Sequence, residues 1–220
     1  MINAATFDFL EELDFNNNRD WFHLNKTRHD NARTNVLEFT NSLILKLSKI
    51  DPSISADLDS KNCVMRIYRD IRFSKDKTPY KTNFGVGFSE NGKNFKGPGY
   101  YLQIHPEESL IAGGYWMPEG EHLKAIRQEI DYNGTDFHKI VDDNEFIKYF
   151  GSLDEDYKLK TAPKGYQPDH PYIEYLKLKS FTFSHPLTKS ELIGSGAVDN
   201  VCDGFARLYP FISFLRNSVS

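Results

Sequence analysis

The spacing of apolar residues switches between helical and extended periods along the chain, and each switch marks an element. Phe7 and Leu10, beside Phe9, predict a short amphipathic helix over residues 3 to 13, broken by Asn16-Asn17-Asn18. Asn18 is of the helix-capping type. Trp21, Phe22 and Leu24 then form either a separate turn or the first half of a longer helix. Val36, Phe39, Leu43, Leu47 and Ile50 recur at three- and four-residue steps, which carries that helix to Ile50, where Asp51-Pro52 stops it.

From Cys63 the period falls to two. Cys63, Met65, Ile67, Arg69, Ile71 and Phe73 share one face, and Val64, Arg66, Tyr68, Asp70 and Arg72 share the other, as in a strand. Residues 74 to 80 read as a turn-rich loop, and residues 81 to 89 as a second strand ending at a Glu90-Asn91-Gly92 turn. Residues 99 to 105 and 109 to 116 flank Pro106-Glu107-Glu108 and predict a hairpin. Pro118 opens a helix continued by Leu123, Ile126 and Ile130, with further short helices to Phe150. Residues 151 to 171 read as irregular, 172 to 178 as helical and 181 to 187 as a strand. Val201, Phe205, Leu208, Ile212 and Leu215 line one face of a last helix, which Pro210 is predicted to kink.

The predicted class is therefore α+β, a mostly antiparallel sheet packed against long N-terminal and C-terminal helices. The chain reads as a single domain over residues 1–220, with 1–50 a helical N-terminal segment and 62–117 the main sheet. With 17 Phe and 12 Tyr, aromatic side chains carry much of the expected packing. Cys63 and Cys202 stand far apart and outside any C-x-x-C pattern, which fits a reducing compartment. No basic-then-apolar leader opens the chain, and no apolar run approaches the roughly 18 residues of a membrane span, so a cytoplasmic address without membrane attachment is expected.

Charge changes this picture locally. The net charge is −4, which argues against a general nucleic-acid coat protein. Yet residues 61 to 82 hold seven cations against two carboxylates, a net of +5, leaving −9 for the remainder. Within them, residues 66 to 81 concentrate six cations and two tyrosines. On an extended segment, Arg66, Tyr68, Asp70 and Arg72 would stand about 6.6 Å apart on one face. Asp70 is placed to hold a guanidinium in bidentate geometry, and Arg69 is the odd member of the apolar face.

Two readings of this run follow. In the first, Arg66, Arg69 and Arg72 bind a small anion, Asp70 orients an arginine, Lys75, Lys77 and Lys81 steer or clamp the ligand, and Tyr80 or Tyr68 closes the pocket. In the second, the run is a salt-bridged face beside a solvated basic loop. A noncatalytic adaptor that docks an acidic peptide or a nucleic-acid backbone on this loop is the alternative to a small-molecule enzyme.

The hairpin offers a second wall through Tyr101 and Gln103, with Gly113-Gly114 beside Trp116 serving either close ligand approach or local backbone geometry. Pro168-Asp169-His170-Pro171 presents an Asp169–His170 pair as a candidate general acid or base, or equally a cap and a hydrogen-bonded histidine. No Ser or Cys stands in a nucleophile motif. The seven histidines form no metal-ligand spacing, so no metal is expected. Gly194-Ser195-Gly196 lacks the Lys-Ser/Thr of a phosphate-binding loop, a dinucleotide fingerprint is absent, and no cofactor is expected.

Three blocks carry a resemblance: Arg66-Ile67-Tyr68-Arg69-Asp70-x-Arg72-Phe73-Ser74-Lys75-Asp76-Lys77-x-Pro79-Tyr80-Lys81, then Gly113-Gly114-x-Trp116-Met117-Pro118, then Gly165-Tyr166-x-x-Asp169-His170-Pro171. In combination they resemble an uncharacterised bacterial and fungal family, a conserved domain of unknown function. The one departure is Ala112, where a third glycine is expected. The resemblance implies a compact α+β domain and brings no activity, substrate or catalytic assignment with it.

Overall fold

The computed structural model describes residues 1–220 and has the expected α+β architecture. Helix α1 (Ala4–Phe15) turns Phe7, Phe9, Leu10 and Leu13 inward. The Asn16–Asn18 break is followed by α2 (Arg19–Leu24), whose first turn Asn18 caps by accepting the Trp21 amide at 2.9 Å. Asn25 leaves helical geometry at φ −103 and ψ 16, so α2 is separate from α3 (Lys26–Leu47). Val36, Phe39, Leu43 and Leu47 form the buried stripe of α3. Asn35 is buried there too, and a buried amide must be satisfied. It accepts the Asn3 amide at 2.8 Å and the Thr6 hydroxyl at 3.0 Å and donates to the Met1 carbonyl at 3.2 Å, which ties the N-terminus to α3.

After a short α4 (Ser60–Cys63), β1 (Phe84–Phe88), β2 (Gly99–Ile104), β3 (Leu110–Tyr115) and β4 (Phe181–Pro186) form an antiparallel sheet in that order. In β2, Tyr100, Leu102 and Ile104 are fully buried while Tyr101 and Gln103 are half-buried, as the alternation requires.

One expectation is corrected. Residues 63 to 73 form no sheet strand; their pairing with the following segment amounts to two isolated antiparallel bridges, Val64 with Val86 and Tyr68 with Tyr80. Between the bridges, Met65 donates to the Gly85 carbonyl at 2.8 Å and Lys81 to the Ile67 carbonyl at 2.7 Å. The pairing stops at Arg69, which donates to the Pro79 carbonyl at 2.9 Å but meets a residue with no amide to return the bond. Beyond it Phe73 is 95% exposed, so the apolar face has nothing to pack on. The strand expected over 81 to 89 is likewise shortened to β1.

The remaining helices are α5 (Gly120–Val141), broken at Asn133, α6 (Asn144–Phe150), α7 (Ile173–Leu176), α8 (Lys189–Ile193) and α9 (Ala197–Ser218), which runs through Pro210. Val201, Phe205, Leu208, Ile212 and Leu215 of α9 are all fully buried, each contributing roughly 1.5–3 kcal/mol of burial.

The backbone gathers into two compact units. The first comprises residues 1–95, 101–111 and 186–206. In it α3 packs on α1 and β1, and Phe88 meets Phe205 edge-on at 5.6 Å. The second comprises residues 96–100, 112–185 and 207–220. Its core is aromatic: Phe183 lies 5.0 Å from Phe211, and Phe137 lies 5.1 Å from Phe214. Gly114 belongs here at φ +127, where an added Cβ would stand 2.0 Å from the Phe181 carbonyl oxygen. A Cβ on Gly113 would meet Leu208 at 2.8 Å. Close packing explains the glycine pair. No helix is long and apolar enough to cross a membrane.

Candidate functional site

The cation-rich run closes against α2 within the first unit. Arg19, Asp20, Phe22, His23 and Lys26 from the α2 side meet Tyr68, Arg69, Ile71, Pro79 and Tyr80 around a recess of about 770 Å³. Its floor is a ring stack, Tyr80 on Phe22 at 4.0 Å and 12°. Asn17 fixes the Tyr80 backbone from both sides, donating to its carbonyl at 3.0 Å and accepting its amide at 3.1 Å. Burial, helped by the neighbouring Tyr68, pushes the Tyr80 hydroxyl pKa up. Tyr68 is 51% exposed, with its ring centroid 5.5 Å from that of Tyr80 and 6.0 Å from that of Phe22.

Arg69 is held by its neighbours in the loop. One guanidinium nitrogen, Nη1, donates to the Asp76 carboxylate and the Thr78 hydroxyl. Asp76 in turn accepts the Thr78 amide at 2.9 Å. That amide bond is the main reason, and Arg69 the next, that the Asp76 carboxyl pKa falls to about 2. Nε and Nη2 of Arg69 make no hydrogen bond within the protein. Arg19, Asp20 and His23 make no ion pair or side-chain hydrogen bond, whereas Lys26 is paired with Asp30.

Two smaller recesses adjoin the same loop. One of about 620 Å³ is lined by Arg19, Asp76 and Lys77 among others, and one of about 380 Å³ by Asp14, Arg69, Lys81 and Asn83. Lys81 is half-buried, and its pKa is lowered by burial first and by Arg66 second.

Of the residues singled out from the sequence, Tyr68, Arg69, Lys77, Tyr80 and Lys81 thus line these hollows. Arg66, Asp70, Arg72 and Lys75 line none of them. Asp70 does hold a guanidinium in a fork, that of Arg72, whose Nε donates at 2.9 Å and Nη2 at 2.7 Å. Both partners are exposed, so the pair adds little to stability. Arg66 and Lys75 are exposed without hydrogen-bond partners, and Lys77 donates to the Ile71 carbonyl at 2.9 Å.

Tyr101 and Gln103 reach the smallest recess only through Asn83. Gln103 accepts from Asn83 at 2.9 Å and from the Tyr101 hydroxyl at 3.3 Å, and donates to the Glu108 carbonyl at 2.8 Å. Burial raises the Tyr101 hydroxyl pKa.

Trp116, Asp169 and His170 belong to the second unit. Trp116 is exposed, next to Met117, whose amide donates to the Ser180 hydroxyl at 3.0 Å. His170 pairs with Asp131 through Nε2 at 2.9 Å, and its Nδ1 accepts the Tyr172 amide at 3.1 Å. Since Nδ1 accepts, the ring proton belongs on Nε2, donated to Asp131. Both ring nitrogens are engaged. Asp169 is exposed and makes no side-chain hydrogen bond. No cluster of three or more His, Cys, Asp or Glu side chains is arranged to hold a metal ion.

Sequence reasoning missed Arg19, Asp20, Phe22, His23 and Lys26 as site residues. The available signal was the Asn18 cap, because a short helix that starts there turns Phe22 inward and leaves its polar neighbours on the open side. Fold and site together define an α+β protein with a cation-lined, tyrosine-walled recess. The chain belongs to the conserved hypothetical protein family DUF2461, which it matches over residues 5–214. No curated protein and no solved structure matches it.

Proposed function

We propose that this protein binds a small phosphorylated or carboxylated molecule in the recess between α2 and residues 66–81. The observation that carries the reading is the meeting of Arg19, His23, Lys26 and Arg69 with a single carboxylate, Asp20, in one hollow. A volume of about 770 Å³ suits a small molecule, since such sites run to roughly 300–1,000 Å³. Guanidinium groups match phosphate and carboxylate oxygens geometrically. Arg69 is already positioned by Asp76 and Thr78, so less side-chain freedom is lost when Nε and Nη2 meet a ligand.

Thermal unfolding with inorganic phosphate, pyrophosphate and citrate tests this. At about 100 times Kd, ligand linkage is worth ~2.7 kcal/mol, a rise in Tm of roughly 5–10 °C. Arg69→Ala removes most of that rise. If no anion raises the Tm of the folded wild type, the reading is wrong.

A second reading is supported by Phe73, 95% exposed between Arg72 and Lys75 on the same loop. An aromatic side chain flanked by cations suits a noncatalytic adaptor that docks an acidic peptide or a nucleic-acid backbone. Salt dependence separates it from the first.

A further inference from the structure

We infer that the recess takes a nucleoside monophosphate; this rests on the anion-binding reading of the same site and names its ligand class. Cations alone would serve any small anion, but two features of the recess ask for more than charge. Tyr68 is half exposed at the recess wall while the Tyr80–Phe22 stack behind it is buried, so an aromatic face is left for a flat ring. Every base has such a face, and stacking on tyrosine does not depend on base identity. Asp20 is a lone carboxylate with no partner among cations. It repels phosphate, and can accept a hydrogen bond from a donor elsewhere on the ligand. Ribose hydroxyls and base amino groups are such donors. Arg19 and the free Nε and Nη2 of Arg69 then remain for the phosphate, in the charge-assisted geometry guanidinium favours.

A sugar phosphate lacks the ring, an aryl phosphate lacks the donors for Asp20, and a nucleoside lacks the charge. The nucleoside monophosphate has all three. No bond is made or broken in this proposal, which concerns recognition only.

Isothermal titration of the full chain separates the contributions. The ligands are the nucleoside 5′-monophosphates, adenosine, ribose 5-phosphate, phenyl phosphate and inorganic phosphate. At least one nucleoside monophosphate is expected to bind about tenfold or more tighter than ribose 5-phosphate, adenosine or phenyl phosphate. Tyr68→Ala should weaken nucleotide binding far more than ribose 5-phosphate binding, so that the advantage is lost, and Tyr68→Phe should keep it. Ribose 5-phosphate binding as tightly as the nucleotides overturns the inference and leaves the anion site standing. Adenosine or phenyl phosphate matching the nucleotides overturns it as well, as does a nucleotide preference that survives Tyr68→Ala. Should none of the phosphate compounds bind, both the inference and the anion-binding reading fall. The wild-type panel decides the matter even where a variant does not fold.

Discussion

Arg69 stands on the apolar side of its segment beside Ile67 and Ile71, and what makes that position tolerable is local: Asp76 and Thr78 take up one guanidinium nitrogen. The Asp76 carboxyl titrates at about 2 in the folded protein, against an ordinary value of about 3.9. A depressed carboxylate contributes stability that is full above the unfolded pKa and is lost as pH falls through the folded one. Asp76→Asn is therefore expected to lower Tm by a small constant amount between pH 5 and 7, the gap closing from about pH 4 towards pH 2. Thermal melts of the two proteins at stepped pH check this, and a gap unchanged at pH 2 would assign the effect to shape instead of charge. The effect is small because Asp76 is exposed. At this scale the sequence is a poor guide to partners. Asp70 was legible as a fork for a neighbouring guanidinium, which is that of Arg72; Asp131, 39 residues before His170, was not legible, because a contact across the fold leaves no spacing to read.

Helix α2 has only six residues, too few to persist by backbone bonds alone, so its cap and its packing decide whether it forms. Asn18 satisfies the Trp21 amide and Phe22 stacks on Tyr80. Because α2 brings Arg19, Asp20, His23 and the adjoining Lys26 to the recess, helix stability and ligand affinity are linked through Asn18. Asn18→Ala is expected to cost about 1 kcal/mol in urea unfolding and to weaken anion binding in titration. Lost stability with unchanged affinity would detach α2 from the site. Periodicity recovered the elements that bury one face on a partner: α3, the β2–β3 hairpin, β4 and α9. It failed at residues 63 to 73, where alternation reports two unlike faces but says nothing of whether a strand lies alongside. Pro79, unable to return the amide bond of Arg69, was visible in the sequence, but only pairing shows that it stands opposite.

For the whole molecule, charge separation determines which class of partner is favoured. Residues 61 to 82 carry +5 in a chain of net −4, so a polyanion approaching the loop meets attraction there and repulsion from the remaining −9. A small ligand seated in the recess meets Arg19, Lys26 and Arg69 at close range, and screening over about 8 Å at physiological salt leaves distant charges little weight there. Moreover, Arg72 and Lys77 are engaged within the loop and Arg69 is partly so through Nη1, which leaves Arg66, Lys75 and the half-buried Lys81 as the run's unpartnered cations. Neutralising so few phosphates gives a shallow salt response, about −0.7 in log K against log salt for each single-strand phosphate. Fluorescence anisotropy with a labelled 20-base single strand should accordingly show no binding at about 10 µM protein in 150 mM salt, and only weak binding when the salt is lowered. Tight association at 150 mM with a steep salt slope, lost on Phe73→Ala, would move the function from the recess to the exposed loop. The recess would then be a by-product of packing α2 against Tyr80, its cations facing solvent because the stacked rings already occupy the interior.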